Sequence, residues 1–202
     1  MALWLAAQPL ILASKSAARR DLLQAAGVPT ELHPAHLDER SLERAAPSQA
    51  PTAIAAHLAR AKASHAAKSF PGRLVLGADQ TLVLGGERFA KPADRAAARS
   101  QLRALSGRSH ELHSAIAFVQ DGKVLFDYVG HARLTMRAFS DRFLDVYLDT
   151  AGAAALASVG AYQIEGPGIQ LFERVEGDYF TIVGLPLMAA LDFLRRHGCL
   201  LA

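Results

Sequence analysis

The chain has 202 residues, 51% of them hydrophobic and 20% charged, enough to bury a core as one domain or as two tightly fused lobes. A formal net charge of +3 is too mild for a dedicated nucleic-acid binder, so no nucleic acid is expected and the anionic partner should be small. The lone cysteine, Cys199, excludes an intrachain disulfide and a cysteine-based zinc site, and it fits a reducing, cytoplasmic setting.

The opening MALWLAAQPLILA is apolar but lacks a basic start and is interrupted by Pro9. It also falls short of the roughly 18 apolar residues of a membrane span. It is therefore read as leading into a buried strand over Leu10 to Ala13, not as a signal peptide or membrane anchor. In SKSAARRDLLQAAG, Ser14 or Ser16 can cap a helix whose apolar stripe includes Leu22, Leu23 and Ala26 and which Gly27 can close. An extended piece near Thr30 to His33 follows, then a polar loop, LDERSLERAAPSQAP. An alanine-rich helix is expected from about Thr52 to Ser69.

RLVLGAD reads as a buried strand ended by its aspartate, and TLVLGGERF as a hairpin turning at Gly85 and Gly86. Asp94 to Leu105 is expected to be helical and stopped by Gly107. ELHSAIAFV and KVLFDYVGHARLTM are strands flanking an Asp121-Gly122 turn. Ser140 caps a helix to Thr150, a glycine-rich loop GAYQIEGPG follows, and FTIVGL is read as a strand before a last helix from about Pro186 to His197. Cys199 falls in a tail expected to fray. Alternating helices and strands predict an α/β protein with a mixed sheet, without repeats or an obvious linker.

Five places combine residue types suited to anion or metal chemistry. In Ala13-Ser-Lys-Ser-Ala-Ala-Arg-Arg20, two hydroxyls and three cations crowd a helix start, where free N–H groups and the dipole favour phosphate. Arg19 and Arg20 can grip phosphate oxygens in a bidentate way. A capped, solvated helix start has the same sequence. Asp79 in Gly77-Ala-Asp-Gln80, at an expected strand end, suits metal binding and acceptance of a proton from water, or a satisfied turn. Lys62 extends the Ile54, Leu58 series on an apolar face, either to snorkel or to meet a polyanion. Lys91 is held extended by Pro92 in what is otherwise a surface loop. Asp38 and Glu39 in Leu37-Asp-Glu-Arg40 can hold a metal or belong to a solvated turn. No HExxH or G-x-S-x-G pattern is present, so hydrolysis through a nucleophilic serine or cysteine has little support.

Taken in order, LILASKSAARRDLLQAAGVP, DER, ARAKA, LGADQTLVL, KP, LSGRSHELHS, GAYQIEG and VGLPL resemble the Maf family, also called septum-formation-inhibitor proteins. The likeness runs from Leu10 to Leu187. It implies a mixed twisted sheet with flanking helices, two lobes around a central cleft of the Maf and ITPase-like kind, and one domain over residues 1–202 without a separable linker. It further implies a nucleoside triphosphate pyrophosphatase that needs Mg²⁺ or Mn²⁺, often as a homodimer.

By the same resemblance, Asp79 matches the proton acceptor, Arg19 the phosphate-facing arginine, with Ser14 and Arg20 in the same segment. Lys62 and Lys91 match lysines of triphosphate binding and catalysis, and Glu39 an acidic residue near the metal. Ala17 replaces the signature proline, and Ala18 stands where one branch has arginine and another tryptophan. Gln80 and Glu165 together resemble the branch acting on 7-methyl-GTP, a match that Ala18 breaks. The expected chemistry is attack of a water on the α phosphorus, its proton passing to Asp79, with Asp79 and Glu39 at the metal. The alternative is a cell-division regulator that binds a nucleotide or a partner without turnover.

Overall fold

The computed structural model describes residues 3–202; Met1 and Ala2, the start of the apolar opening segment, lie outside the described residues. The elements run β1 (Leu10–Leu12), α1 (Ala17–Ala25), β2 (Thr30–Leu32), α2 (Glu39–Arg44), α3 (Pro51–Ala67), β3 (Val75–Leu84), β4 (Glu87–Phe89) and α4 (Arg95–Leu105). They continue with β5 (Ser109–Gln120), β6 (Lys123–Met136), α5 (Asp141–Ala151), α6 (Ala153–Ala157), β7 (Phe172–Gly177), α7 (Tyr179–Val183) and α8 (Leu187–Arg196). Seven strands form a mixed sheet in the order β2-β1-β3-β5-β6-β7, with β4 on β3. β1 pairs in parallel with β2 and β3, whereas β4 and β7 pair antiparallel. Among the described residues, no helix is long and apolar enough to cross a membrane.

The chain divides into two compact units, 1–80 with 114–130 and 184–202, and 81–113 with 131–183. In the first, α3 presents Ala55, Ala59, Ala63, Ala66 and Ala67 to Ile11, Ala13, Val75 and the alanines of β5. Small side chains let the helix lie unusually close to β3. A Cβ on Gly77 would fall 2.2 Å from the Ala59 carbonyl oxygen and 2.7 Å from the Ala63 nitrogen, so only glycine permits this approach. That contact fixes where Lys62, on the same helix, stands relative to the strand.

The second unit packs α4, α5 and α6 against the inner residues of β3, β5 and β6, with Leu102, Leu105, Leu112, Leu134 and Leu144 at its centre. His110 is buried there, its Nε2 2.8 Å from the Tyr162 hydroxyl. Burial lowers its pKa from the ordinary 6.5 to about 4, because an imidazolium loses its hydration inside the core. The unfolded chain therefore takes up this proton at a higher pH than the folded one. The neutral ring's contribution is fully present above pH 6.5 and is lost as pH falls towards 4. Melting temperatures measured between pH 7 and pH 4 are expected to fall more steeply for the wild type than for His110→Asn.

Several elements differ from the sequence reading. β3 does not stop at Asp79 but runs on to Leu84, since Thr81–Leu84 are apolar enough to stay buried and pair with β4. The DER segment is helical, not a loop: Asp38 caps α2 by accepting from the Ser41 N–H (3.2 Å) and hydroxyl (2.7 Å). FTIVGL is not a strand, because Asp178 accepts from the Thr181 N–H at 2.8 Å and starts α7. The strand of that region is instead β7, whose FERVEG sequence is largely exposed and shows no apolar run. The C-terminal segment does not fray. Leu5 N–H donates to the Cys199 carbonyl (2.9 Å), Trp4 bridges Leu200, and Cys199 is buried.

Candidate active site in the first unit

The turn from β1 into α1 is built by serines. Ser16 caps α1, its hydroxyl accepting from the Arg19 N–H at 3.4 Å, and the Ser14 hydroxyl accepts from the Ser16 N–H at 3.2 Å. This start aims Arg19 inward. Its Nε donates to the Gly184 carbonyl (2.8 Å), and one terminal nitrogen donates to the Ala78 carbonyl (2.8 Å) and to Ser14 Oγ (3.2 Å). Among the described residues, the other terminal nitrogen has no hydrogen-bond partner and no carboxylate lies within ion-pairing distance of the guanidinium. Burial holds the Arg19 pKa below its ordinary value, against the pull of Asp79 and Glu39. A desolvated guanidinium fixed by carbonyl oxygens, with a donor to spare, is suited to receive an anion. Arg20, by contrast, turns outward to Asp21 at 2.8 Å.

β1 ends at Leu12, paired only as far as Leu76, and the chain leaves the sheet into α1. The longer β3 continues past that end, so Asp79 lies mid-strand beside the place where its parallel neighbour has departed. Its side chain is buried, and Oδ1 accepts from Lys62 Nζ at 2.7 Å. The same ammonium is 3.1 Å from Glu39 Oε1 on α2. Burial raises the Asp79 pKa from its ordinary value; Lys62 and Arg19 oppose that rise, and Glu39 adds to it. The carboxylate is thus a stronger base than one in water, yet it keeps a cation against it.

Two carboxylates on separate elements converge on one cationic centre, here the Lys62 ammonium. Their hard oxygen atoms suit Mg²⁺ or Mn²⁺. Gln80 donates from Nε2 to Ser114 Oγ at 2.9 Å. A Cβ on Gly184 would lie 3.5 Å from Arg19 Nε and 3.6 Å from the Gln80 amide oxygen, so these two side chains border the same bare backbone. Ala18 is half-buried in the first turn of α1.

Ser14, Arg19, Glu39, Lys62, Asp79 and Gln80 are therefore neighbours through a short chain of contacts. Lys91 and Glu165 belong to the second unit. Lys91 is exposed in the segment between β4 and α4, after which Pro92 is buried, and Glu165 is exposed in the turn before the short helical segment Pro167–Leu171. The carbonyls of Gly184 and Ala78, which orient Arg19, escaped the sequence reading. The positive φ of Gly184 (110°) had one visible signal, the glycine of VGLPL, but a carbonyl's direction is not written in residue type.

Sheet and site together define a mixed α/β protein whose first unit sets a buried carboxylate against Lys62, with the buried guanidinium of Arg19 nearby. Residues 9–197 match the family model described as Maf-like protein. The chain is 54% identical over 200 residues to a nucleoside triphosphate pyrophosphatase of Rhodopseudomonas palustris (strain BisB18), covering 99% of both chains. It is 52% identical over 193 residues to a 7-methyl-GTP pyrophosphatase of Rhizobium etli, covering 94% of this chain and 96% of that one. A HAM1 protein structure from Coxiella burnetii has a TM-score of 0.42 at 20% identity, covering 63% of this chain and 72% of that chain. The chain belongs to the Maf-like protein family.

Proposed function

We propose that the protein is a cytoplasmic nucleoside triphosphate pyrophosphatase, working as a homodimer, that hydrolyses its substrate to a nucleoside monophosphate and pyrophosphate. The observation that carries this reading is the buried Asp79 held at 2.7 Å from Lys62, with the spare donor of Arg19 in the same neighbourhood. Family membership and the activities named for the Rhodopseudomonas and Rhizobium relatives support it.

Asp79 and Glu39 are the residues that would hold a divalent cation. Such an ion, when bound, neutralises phosphate charge and makes a water easier to deprotonate. Asp79 accepts the proton of the attacking water at its carboxylate oxygen. The water oxygen bonds to the α phosphorus, the bond from that phosphorus to the bridging oxygen breaks, and pyrophosphate leaves with the electron pair. Arg19, held by the Gly184 and Ala78 carbonyls, spends little entropy in binding a phosphate oxygen. Lys62 and Lys91 offset the charge that grows on the departing pyrophosphate, while Ser14 serves the phosphates from the α1 start and Arg20, turned out to Asp21, takes no part.

Base choice is assigned to Glu165 and Gln80, with the small Ala18 leaving room for the base. Guanine offers N1–H and N2–H₂ as adjacent donors, which a carboxylate meets in a bidentate way, whereas uracil and thymine set two acceptors around one donor. Guanine-type triphosphates, including 7-methyl-GTP, are therefore expected to be preferred. A kcat/KM panel tests this: Glu165→Gln should move preference towards UTP or dTTP, and an unchanged ratio would remove Glu165 from base reading.

A further inference from the structure

We infer that the second unit carries a separate metal site of the zinc type, formed by Glu111, His113 and His131. This site is independent of the reaction proposed above, and its residues are remote in sequence from Asp79 and Glu39. Glu111 and His113 are two positions apart on β5 and so project from the same face of the strand. β6, the neighbouring strand, brings His131 to them. One donor atom from each residue lies within 4.8 Å of the others.

The distances are close to those that an ion requires. Tetrahedral zinc, with bonds of about 2.1 Å to nitrogen and oxygen, sets its ligand atoms roughly 3.4 Å apart. Glu111 Oε2 is 3.4 Å from His113 Nε2 and 3.6 Å from His131 Nε2. The two imidazole rings lie with centroids 5.0 Å apart, tilted by 42°.

His113 supplies the second, independent indication. It is buried, with only 6% of its surface exposed, and neither ring nitrogen has a hydrogen-bond partner. An imidazole left in that state forfeits the hydrogen bonds it had in water, a cost that core histidines ordinarily avoid. Burial, first, and the neighbouring His131 lower its pKa, against the pull of Glu111. The neutral form of an imidazole is the one that ligates metals. The side chains of Glu111 and His131 are half exposed, giving an ion a path from solvent. Two imidazoles and one carboxylate form the donor set that binds zinc while leaving a fourth position to water, whereas Mg²⁺ prefers oxygen ligands alone.

The site is tested by titrating the metal-free full-length protein with Co²⁺, a spectroscopic substitute for zinc, and repeating the titration with Zn²⁺ in competition. Asp79→Asn with Glu39→Gln removes the acidic pair of the first unit, so that any remaining binding reports the second. That double variant is expected to bind one equivalent and to show the intense visible bands of nitrogen-ligated, low-coordinate Co²⁺, which Zn²⁺ then displaces. Adding His131→Ala or Glu111→Gln, both partly exposed positions, should weaken binding at least about tenfold and abolish the bands, with circular dichroism unchanged. Undiminished bands and affinity in His131→Ala would overturn the assignment, as would a double variant that binds no Co²⁺. His113→Ala removes a buried side chain, and loss of its fold would leave the His131 and Glu111 results to decide.

Discussion

Asp79→Asn is expected to cut turnover at least about a hundredfold while retaining the fold and much of the nucleotide affinity. The amide keeps the shape and one acceptor for Lys62 Nζ, 2.7 Å away in the native protein, but it cannot take a proton from water and brings no negative charge to a cation. Because burial raises the Asp79 pKa, the acidic fall of kcat/KM should lie above the range of an ordinary carboxylate. Below that pKa the base is already protonated and idle; above it the base is ready. Asp79→Asn should lose this limb altogether. Near wild-type turnover, or an unchanged acidic limb, would remove Asp79 from the mechanism.

Gly77→Ala is expected to produce the largest loss of stability, although it adds one methyl group. That methyl would lie 2.2 Å from the Ala59 carbonyl oxygen, a backbone atom that cannot rotate aside. α3 must therefore move off β3 and open its alanine-lined core. Overpacking of this kind costs up to about 3 kcal/mol and occasionally more, and a cost of about 3 kcal/mol in a chain of this size lowers the melting temperature by about 6–12 °C. Since Lys62 rides on α3 and Asp79 on β3, the displacement should also reduce turnover in the protein that remains folded. Gly166→Ala is the comparison, because a Cβ there meets nothing within 4 Å. Equal melting temperatures for Gly77→Ala and the wild type would show that the helix does not depend on this close approach.

These two cases mark what a sequence can and cannot express. The start of α1 was legible because Ser16, the basic residues after it and the Leu22, Leu23 stripe act locally, through a cap and a helical period. The unusual placement of Lys62 was legible because a charged residue on an apolar stripe is anomalous, and its partners are Asp79 and Glu39. Asp79 was singled out for a partly mistaken reason. A carboxylate normally ends a buried run, whereas here the strand continues and the special feature is the early end of β1. That feature depends on the length of a neighbouring strand.

Tertiary context hid the rest. β7 is strand because β6 offers it a free edge from Ala132 to Met136, although its own residues have no apolar face. FTIVGL has strand-forming residues, but its first four, Phe180 to Val183, lie in α7, which the Asp178 cap starts, and a local cap overrode intrinsic propensity. Glu111, His113 and His131 meet only through β5 and β6 pairing, so no spacing motif announces them. The fixing of Arg19 by the Gly184 and Ala78 carbonyls was equally beyond reach of residue type.

The central claim is cleavage between the α and β phosphates, and it is tested most directly by running GTP hydrolysis in heavy-oxygen water with Mg²⁺ and locating the label by mass spectrometry. Attack at the α phosphorus predicts one heavy oxygen in the nucleoside monophosphate and none in the pyrophosphate released with it. Nucleoside diphosphate and orthophosphate as products, or heavy oxygen appearing in pyrophosphate, would contradict the account.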